Sequence, residues 1–258
     1  MNRQFCLNHT VRYDECNCDG VLTPVAFLRY MQDIALRDVE DAQLVGEGYW
    51  IIKRTKMSFA SSIPLHASLE LKTFGIGFSR ITAMRGYEAR KAHTSHDEPL
   101  ASAQTLWVYV NSSGRPVRLP ERTAEIWMPA GVLAPPPDQP FPVFPEHQPV
   151  TTLAAVKFSQ IDLMQHLNNA SVVEILDNAG WEALANSEIT PAVARFTIHD
   201  YDIEYSDSPR FGEQLEIQNW FEPFPTPGHE FTRVQHMTRG GKTMVRACSR
   251  WHWEVAEE

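Results

Sequence analysis

The sequence lacks the features that mark membrane-spanning, secreted or cysteine-stabilised proteins. No apolar run approaches the roughly 18–20 residues of a membrane helix, so we expect no membrane span. The first ten residues lack the apolar stretch and small-residue cleavage site of a secretory signal, which favours the cytoplasm. Only four cysteines occur in 258 residues, and the Cys16–Cys18 spacing is typical of neither a zinc site nor a redox pair. We therefore expect reduced, structural thiols.

Motifs for several other chemistries are also missing. There is no glycine-rich phosphate loop and no G-x-S-x-G elbow, so a serine hydrolase is not indicated. The segment 93–97 carries two histidines and an aspartate, but a solvated loop is the favoured interpretation, and we predict neither a metal nor a cofactor. The net charge of −9 argues against a nucleic-acid partner. Basic clusters within 85–91 and 239–250 could still steer an acidic partner.

Proline marks the clearest boundary in the chain. Residues 129–149 hold eight of the 18 prolines and show no helical or strand periodicity. Such a composition predicts an extended linker that runs over the surface. The linker leaves a front segment, 1–128, and a back segment, 150–258, each long enough to bury a core.

The two segments share landmarks in the same order, at offsets near 145 residues. Strand-like stretches at Val11–Tyr13 and Val156–Phe158 each precede a helix. The front helix is predicted to begin at Thr23-Pro24, a cap followed by proline, and the back helix near Asn169. Two strands separated by a turn follow in each segment, and a tryptophan-bearing strand lies near each end. We interpret this order as a diverged internal duplication.

Each segment therefore predicts one α+β unit. A long helix followed by alternating strands is most simply an antiparallel sheet wrapped around that helix. Pairing two such units would cover a vulnerable sheet edge. Because a fused pair already satisfies its own pairing, both a monomer and a homodimer remain open.

The densest polar cluster runs from Asp162 to Asn169, directly before the back helix. A helix N-terminus presents unpaired N–H groups and a partial positive charge, which can stabilise an oxyanion. A nearby carboxylate can attack a carbonyl directly or activate water. The same residue types are also ordinary helix-capping chemistry. The cluster alone leaves capping and catalysis equally open.

Four segments together resemble the acyl-ACP thioesterases, hotdog-fold enzymes of plant plastids and bacteria. They are Leu28–Asp33 (like a helix ending in leucine, glutamine and an acid), Trp50–Arg54 (like W-V-V-x-R), Asp162–Asn169 (like D-x-N-Q-H-V-N-N) and Ile203–Tyr205 (like L-E-Y). The resemblance covers nearly the whole chain. It implies two tandem hotdog domains and hydrolysis of fatty acyl-ACP to free fatty acid and acyl carrier protein (ACP).

The resemblance also implies roles for the residues of the polar cluster. Asp162 would be the catalytic carboxylate, and His166 would orient the substrate or assist proton transfer. Asn168 and Asn169 would shape the turn and cap the helix, with Asn168 among the candidate catalytic residues and Asn169 among the candidate substrate-binding residues. Ser208 completes the catalytic candidates, because it occupies the position of a glutamate in the plant enzymes.

Two departures from the family pattern keep the mechanism open. Met164 stands where the plant enzymes have asparagine, and a thioether cannot donate a hydrogen bond. The hydroxyl of Ser208 could position water but is a poor base at neutral pH. Two alternatives to the acyl-ACP thioesterase therefore remain: the same chemistry on acyl-CoA, and acyl-thioester binding without catalysis.

The front segment lacks the catalytic motif, because Asn17 and Val21 align with Asp162 and His166. This implies one active site per chain. By resemblance, the front segment would form the acyl pocket. The candidate substrate-binding residues there are Phe27, Met31, Trp50 and Arg54. For each apolar candidate, a plain core position is an equally open interpretation.

Overall fold

The structure, a computed structural model, describes residues 1–44, 46–93 and 98–255. It divides into two compact units. The front unit comprises Met1–Cys16, Gly20–Leu22 and Phe27–Pro140, and the back unit comprises Asn17–Asp19, Thr23–Ala26 and the chain from Phe141 onward. The chain thus passes from one unit to the other inside the proline-rich segment.

The front unit contains an antiparallel sheet and a long helix. Its strands are β1 (Gln4–Thr10), β2 (Tyr49–Phe59), β3 (Ser68–Phe78), β4 (Thr82–Lys91) and β5 (Ala101–Val110). They are ordered β1-β3-β4-β5-β2, and every neighbouring pair is antiparallel. The long helix is α1 (Pro24–Asp41), of which the residues from Phe27 onward belong to this unit, and α2 (Thr123–Trp127) is short.

The back unit repeats this arrangement. Its elements are β6 (Val150–Ala155), α3 (Asn169–Ala185), β7 (Arg195–Tyr205), β8 (Gln214–Glu222), β9 (Glu230–Arg239) and β10 (Lys242–Glu254). The strands are ordered β7-β10-β9-β8-β6, again antiparallel throughout. If β2 corresponds to β7 and β1 to β6, the two units have the same strand order.

Both long helices begin at the predicted residues. The Thr23 hydroxyl accepts a hydrogen bond from the N–H of Ala26 at 3.2 Å, and Pro24 has no N–H to satisfy. In the back unit, Asn168 Oδ1 accepts one from the N–H of Ala170 at 2.8 Å. The described part of the chain contains no helix with the length and hydropathy of a membrane span.

The predicted strands at Val11–Tyr13 and Val156–Phe158 are wrong in both units. β1 ends at Thr10 and β6 at Ala155, and a 3-10 turn follows each strand. The backbone N–H of Arg12 donates to Glu15 Oε2 at 2.8 Å, and that of Lys157 donates to Gln160 Oε1 at 2.9 Å. Because these backbone N–H groups donate to side chains, they form no hydrogen bond with a neighbouring strand, and each strand ends before the predicted residues.

The segment 129–149 forms neither helix nor strand, and most of its residues are exposed. Its first part contacts the front unit, where Asp138 pairs with Arg54 at 2.7 Å. Its second part contacts the back unit, where Phe144 stacks on Trp220 with ring centroids 5.4 Å apart. The segment is therefore attached at both ends.

Candidate active site

A tight turn from Asp162 to His166 lies directly before α3. The N–H of Asp162 donates to the carbonyl of His166, and the N–H of Gln165 donates to the carbonyl of Asp162, both at 2.9 Å. The carboxylate accepts from inside the turn, because Asp162 Oδ1 receives the N–H groups of Met164 at 2.9 Å and His166 at 3.4 Å. Oδ2 accepts no hydrogen bond from the residues that the structure describes.

The helix N-terminus and the turn form one hydrogen-bonded unit. The N–H of Asn168 donates to the carbonyl of Gln160 at 2.9 Å, and the Asn168 side chain then caps α3. The capping prediction for Asn168 is confirmed. Asn169 is the first residue of the helix. A carboxylate is thus held just before a helix end that carries a partial positive charge.

The loop that carries Ser208 lies against this turn. The N–H of Leu167 donates to the carbonyl of Pro209 at 2.7 Å, which joins the two segments one residue after Ser208. Ser208 is exposed, and its N–H donates to Asp207 Oδ1 at 2.8 Å. The imidazole of His166 is half-buried and makes no hydrogen bond or ion pair with the described part of the chain. The structure therefore gathers the predicted catalytic residues at one end of α3, without a hydrogen bond between any two of their side chains in the described part of the chain.

The front unit contains an apolar cavity of about 230 Å³ beside α1. Among the residues that line it are Leu36, Trp50, Gly75, Ala83 and Trp107. Its walls come from α1, from α2 and from strands β2 to β5. An apolar cavity of this kind is suited to a hydrocarbon chain.

Only one of the four predicted acyl-pocket residues lines this cavity. Trp50 does so, whereas Phe27 and Met31 are buried elsewhere in the core, 1% and 3% exposed. The Arg54 guanidinium is also buried and donates to Asp138 and to the backbone of Gln139. Substrate binding by these three residues remains a prediction.

The sequence-based prediction missed a buried acidic residue next to the cavity. Asp38 is fully buried on α1 and accepts hydrogen bonds from Arg3 Nε at 2.7 Å and Trp127 Nε1 at 2.6 Å, and from Arg85. Arg85 and Trp127 also line the cavity. The available signal was an acid four residues after Ile34, on the apolar face of the predicted helix.

The two basic clusters are largely neutralised by carboxylates. In the first, Arg85 pairs with Asp38 and Arg90 with Glu88. In the second, the pairs are Arg239–Glu213, Lys242–Asp207, Arg246–Glu204 and Arg250–Asp200. Neither cluster presents the uncompensated charge that would steer an acidic partner strongly.

The segment 94–97, which carries most of the dismissed metal motif, lies outside the described residues. Within the described ranges, no group of three or more His, Cys, Asp or Glu side chains is arranged to hold a metal ion.

Residues 2–126 match the family model of the acyl-ACP thioesterase N-terminal domain. This segment belongs to the acyl-ACP thioesterase family. The predicted family is thereby confirmed, and the match supports the predicted thioester hydrolase. A comparison with curated protein sequences gave no match.

Three solved thioesterase structures are similar over nearly the whole chain. A structure described as an oleoyl thioesterase from Lactobacillus plantarum has a TM-score of 0.85 at 15% identity, covering 99% of this chain and 97% of the other. An acyl-ACP thioesterase from Bacteroides thetaiotaomicron has a TM-score of 0.75 at 15% identity, covering 96% and 98%. The 12:0-ACP thioesterase from Umbellularia californica has a TM-score of 0.78 at 14% identity, covering 97% and 94%. At these identities the likeness establishes the hotdog thioesterase fold, an antiparallel sheet with few helices.

Proposed function

We propose that this acyl-ACP thioesterase consists of two tandem hotdog domains, residues 1–128 and 150–258, joined by the linker 129–149. It hydrolyses fatty acyl-ACP to free fatty acid and ACP. The common strand order of the two units supports the tandem arrangement. The family match over residues 2–126 supports the acyl-ACP substrate. A cytoplasmic location, and a monomer or homodimer, remain predictions.

The availability of one carboxylate oxygen carries the catalytic proposal. Oδ1 of Asp162 is fixed by two backbone N–H groups, while Oδ2 remains available at the N-terminal end of α3. Asp162 removes a proton from water, and the resulting hydroxide adds to the thioester carbonyl. The partial positive charge of the helix end stabilises the oxyanion. When the tetrahedral intermediate collapses, the C–S bond breaks and the sulfur leaves with the proton held by Asp162. His166 and Ser208 orient the substrate and the water.

The acyl chain binds in the apolar cavity of the front unit. This assignment retains Trp50 among the predicted pocket residues and adds the wall formed by Leu36, Gly75, Ala83 and Trp107. Burial of hydrocarbon in this wall supplies the binding free energy, at roughly 0.8 kcal/mol for each methylene.

One observation favours the alternative of acyl binding without catalysis. In the corresponding turn before α1, Asn17 Oδ1 accepts the N–H of Asp19 at 3.0 Å, as Asp162 Oδ1 accepts the N–H of Met164. An uncharged amide therefore serves the same structural purpose, and the turn alone does not require a carboxylate at position 162. The same observation suggests Asp162→Asn, a substitution that should preserve the turn and remove the negative charge.

The decisive experiment measures free-thiol release by the wild type and by Asp162→Asn, on one set of acyl chains carried by ACP or by coenzyme A. Because asparagine supports the turn at position 17, the variant should fold with unchanged stability. Its turnover should fall by about 10²–10⁴-fold, the usual contribution of a general base. Asn17→Asp, the matched control, should retain wild-type turnover.

The outcomes separate the three candidate functions. Faster release from acyl-ACP than from acyl-CoA supports the proposed substrate, whereas equal or faster release from acyl-CoA assigns the same chemistry to the other carrier. Wild-type turnover by folded Asp162→Asn would overturn the catalytic role of Asp162. Tight acyl-thioester binding by the wild type without any thiol release would favour the binding protein.

A further inference from the structure

The internal duplication shows what the cavity region looks like when it is filled. Strand register aligns the two units, because Gly75 pairs with Arg85 across β3 and β4, and Phe221 pairs with Arg233 across β8 and β9. Each arginine reaches an aspartate on the long helix of its own unit, although Asp38 and Asp177 occupy different positions counted from the helix N-caps. The cavity-lining Gly75 therefore corresponds to a phenylalanine in the back unit.

The next strand pair extends the alignment to a second cavity position. Ala83 pairs with Trp107 across β4 and β5, and Phe231 pairs with Trp251 across β9 and β10. The two indoles make the same local bond, from Trp107 Nε1 to the Thr105 hydroxyl at 2.5 Å and from Trp251 Nε1 to the Ser249 hydroxyl at 2.7 Å. This shared bond supports the register independently. Ala83, like Gly75, has a phenylalanine as its counterpart.

The long helices supply a third position. Counted from the N-caps Thr23 and Asn168, Leu36 on α1 corresponds to Trp181 on α3. Leu36 lines the cavity and is 57% exposed, so it lies at the rim. At these three positions the front unit has the smaller side chain. At Ala35, which also lines the cavity, the back unit has the smaller residue, Gly180.

Aromatic rings occupy the corresponding region of the back unit. Trp181 stacks on Phe196 with centroids 4.7 Å apart, and Phe196 meets Phe231 at 4.9 Å. Phe221 adds a further contact with Phe231 at 6.3 Å. The same strand order therefore accommodates a filled core. The cavity of the front unit is a consequence of its side chains and is not required by the fold.

We infer that Gly75 and Ala83, with Leu36 at the rim, determine the length of acyl chain that the enzyme accepts. The inference rests on the proposed function, because it assigns specificity within the proposed acyl cavity. Space at Gly75 is limited, since an added Cβ would lie 3.0 Å from Phe78 Cε2 and 3.2 Å from Trp127 Cβ, and both residues line the cavity. Ala83 is 8% exposed, so a larger side chain there must extend into the cavity or displace its wall.

The test installs the back unit's residue in the front unit. Ala83→Phe, with Ala83→Leu as a milder change, is assayed for kcat/KM on a series of acyl-ACPs of increasing length. The preference should shift to shorter chains, with a loss of about fourfold for each methylene that is no longer buried. The longest good substrate of the wild type should therefore lose at least about tenfold relative to the shortest. Phe231→Ala, the matched control, should leave the length profile unchanged.

A second readout does not depend on turnover. Displacement of a fluorescent fatty acid by unlabelled fatty acids of graded length reports binding in the cavity directly, and thermal unfolding confirms that each variant is folded. Shorter-chain preference in both assays supports the inference. An unchanged length profile in folded Ala83→Phe and Ala83→Leu would overturn it. Absence of wild-type thiol release with intact length-dependent binding would instead reject the proposed hydrolysis and leave the specificity assignment standing.

Discussion

The two units bury an arginine–aspartate pair at corresponding strand positions but surround it differently. In the front unit, Asp38 accepts hydrogen bonds from Arg3, Arg85 and Trp127. In the back unit, Asp177 has one charged partner among the described residues, Arg233, and accepts one further hydrogen bond, from the Tyr201 hydroxyl at 3.4 Å. The arginine on the strand is thus common to both units, whereas the number of donors around the acid differs. Because Asp38 keeps other donors when its strand arginine is removed, the front pair should tolerate that loss. The back pair should be more sensitive, because Asp177 would lose its charged partner.

The turns before the two helices differ in a second instructive way. Asn17 and Asp162 accept the same kind of backbone hydrogen bond, so the fold needs only a side-chain oxygen at this point. A general base additionally needs a negative charge at this position, which Asp162 carries and Asn17 lacks. The front unit contains the apolar cavity, whereas the ionisable residue at this turn position lies before α3.

The largest expected effect comes from removing the arginine in each unit. Arg233→Met leaves Asp177 buried without a cation and should lower the free energy of unfolding by about 3 kcal/mol. This is the low end for broken buried pairs, because a fifth of the Asp177 side chain is exposed. Arg85→Met should cost only about 1.5 kcal/mol, since Asp38 retains Arg3 and Trp127. Urea unfolding measures both values, and equal losses would refute the redundancy.

A smaller effect is expected at the 3-10 turns, where Glu15 and Gln160 correspond. Burial acts to raise the pKa of Glu15, but hydrogen bonds from the Tyr30 hydroxyl, the Arg12 backbone and His9 outweigh it and lower the pKa to about 2. Glu15→Gln installs the back unit's residue and should cost about 2 kcal/mol at pH 7, the usual value for hydrogen bonds to a charged group.

The stabilisation by Glu15 should be lost as the pH falls. A lowered carboxyl pKa stabilises the folded state fully above the unfolded value of about 4.5, and that contribution disappears as the pH falls towards 2. The unfolding free energies of the wild type and of Glu15→Gln should therefore converge between pH 4.5 and 2. A difference that stays constant across urea titrations in this range would show that the charge of Glu15 contributes nothing.

Local sequence signals predicted the features that depend on neighbouring residues. The helix starts at Thr23 and Asn168 were predictable because a cap acts within a few residues of itself. The strand ends were missed for a related reason, since Glu15 and Gln160 close turns that β-propensity does not reveal.

Features that depend on tertiary contacts could not be predicted from local sequence patterns. Trp50 was expected to contribute to an acyl pocket, but the opposing Gly75 and Ala83 come from strands whose register no local pattern specifies. The partners of Asp38 are likewise distant in the chain, from Arg3 to Trp127. Side-chain packing, rather than propensity, determines both the cavity and the buried network.

The smallest predicted effect concerns two corresponding helix residues, Ala35 on α1 and Gly180 on α3. A Cβ at Gly180 would lie 2.4 Å from Arg233 Nη1 and 3.1 Å from its Cδ, so an alanine would force the buried Arg233 side chain to shift from its position beside Asp177. Gly180→Ala should therefore lower the unfolding free energy by about 1 kcal/mol, because displacement of Arg233 outweighs the gain in helix propensity. Ala35→Gly should lose a similar amount through propensity alone. Thermal unfolding measures whether Gly180→Ala destabilises or stabilises the protein. If Arg233 did not approach the helix so closely, the substitution would stabilise the protein.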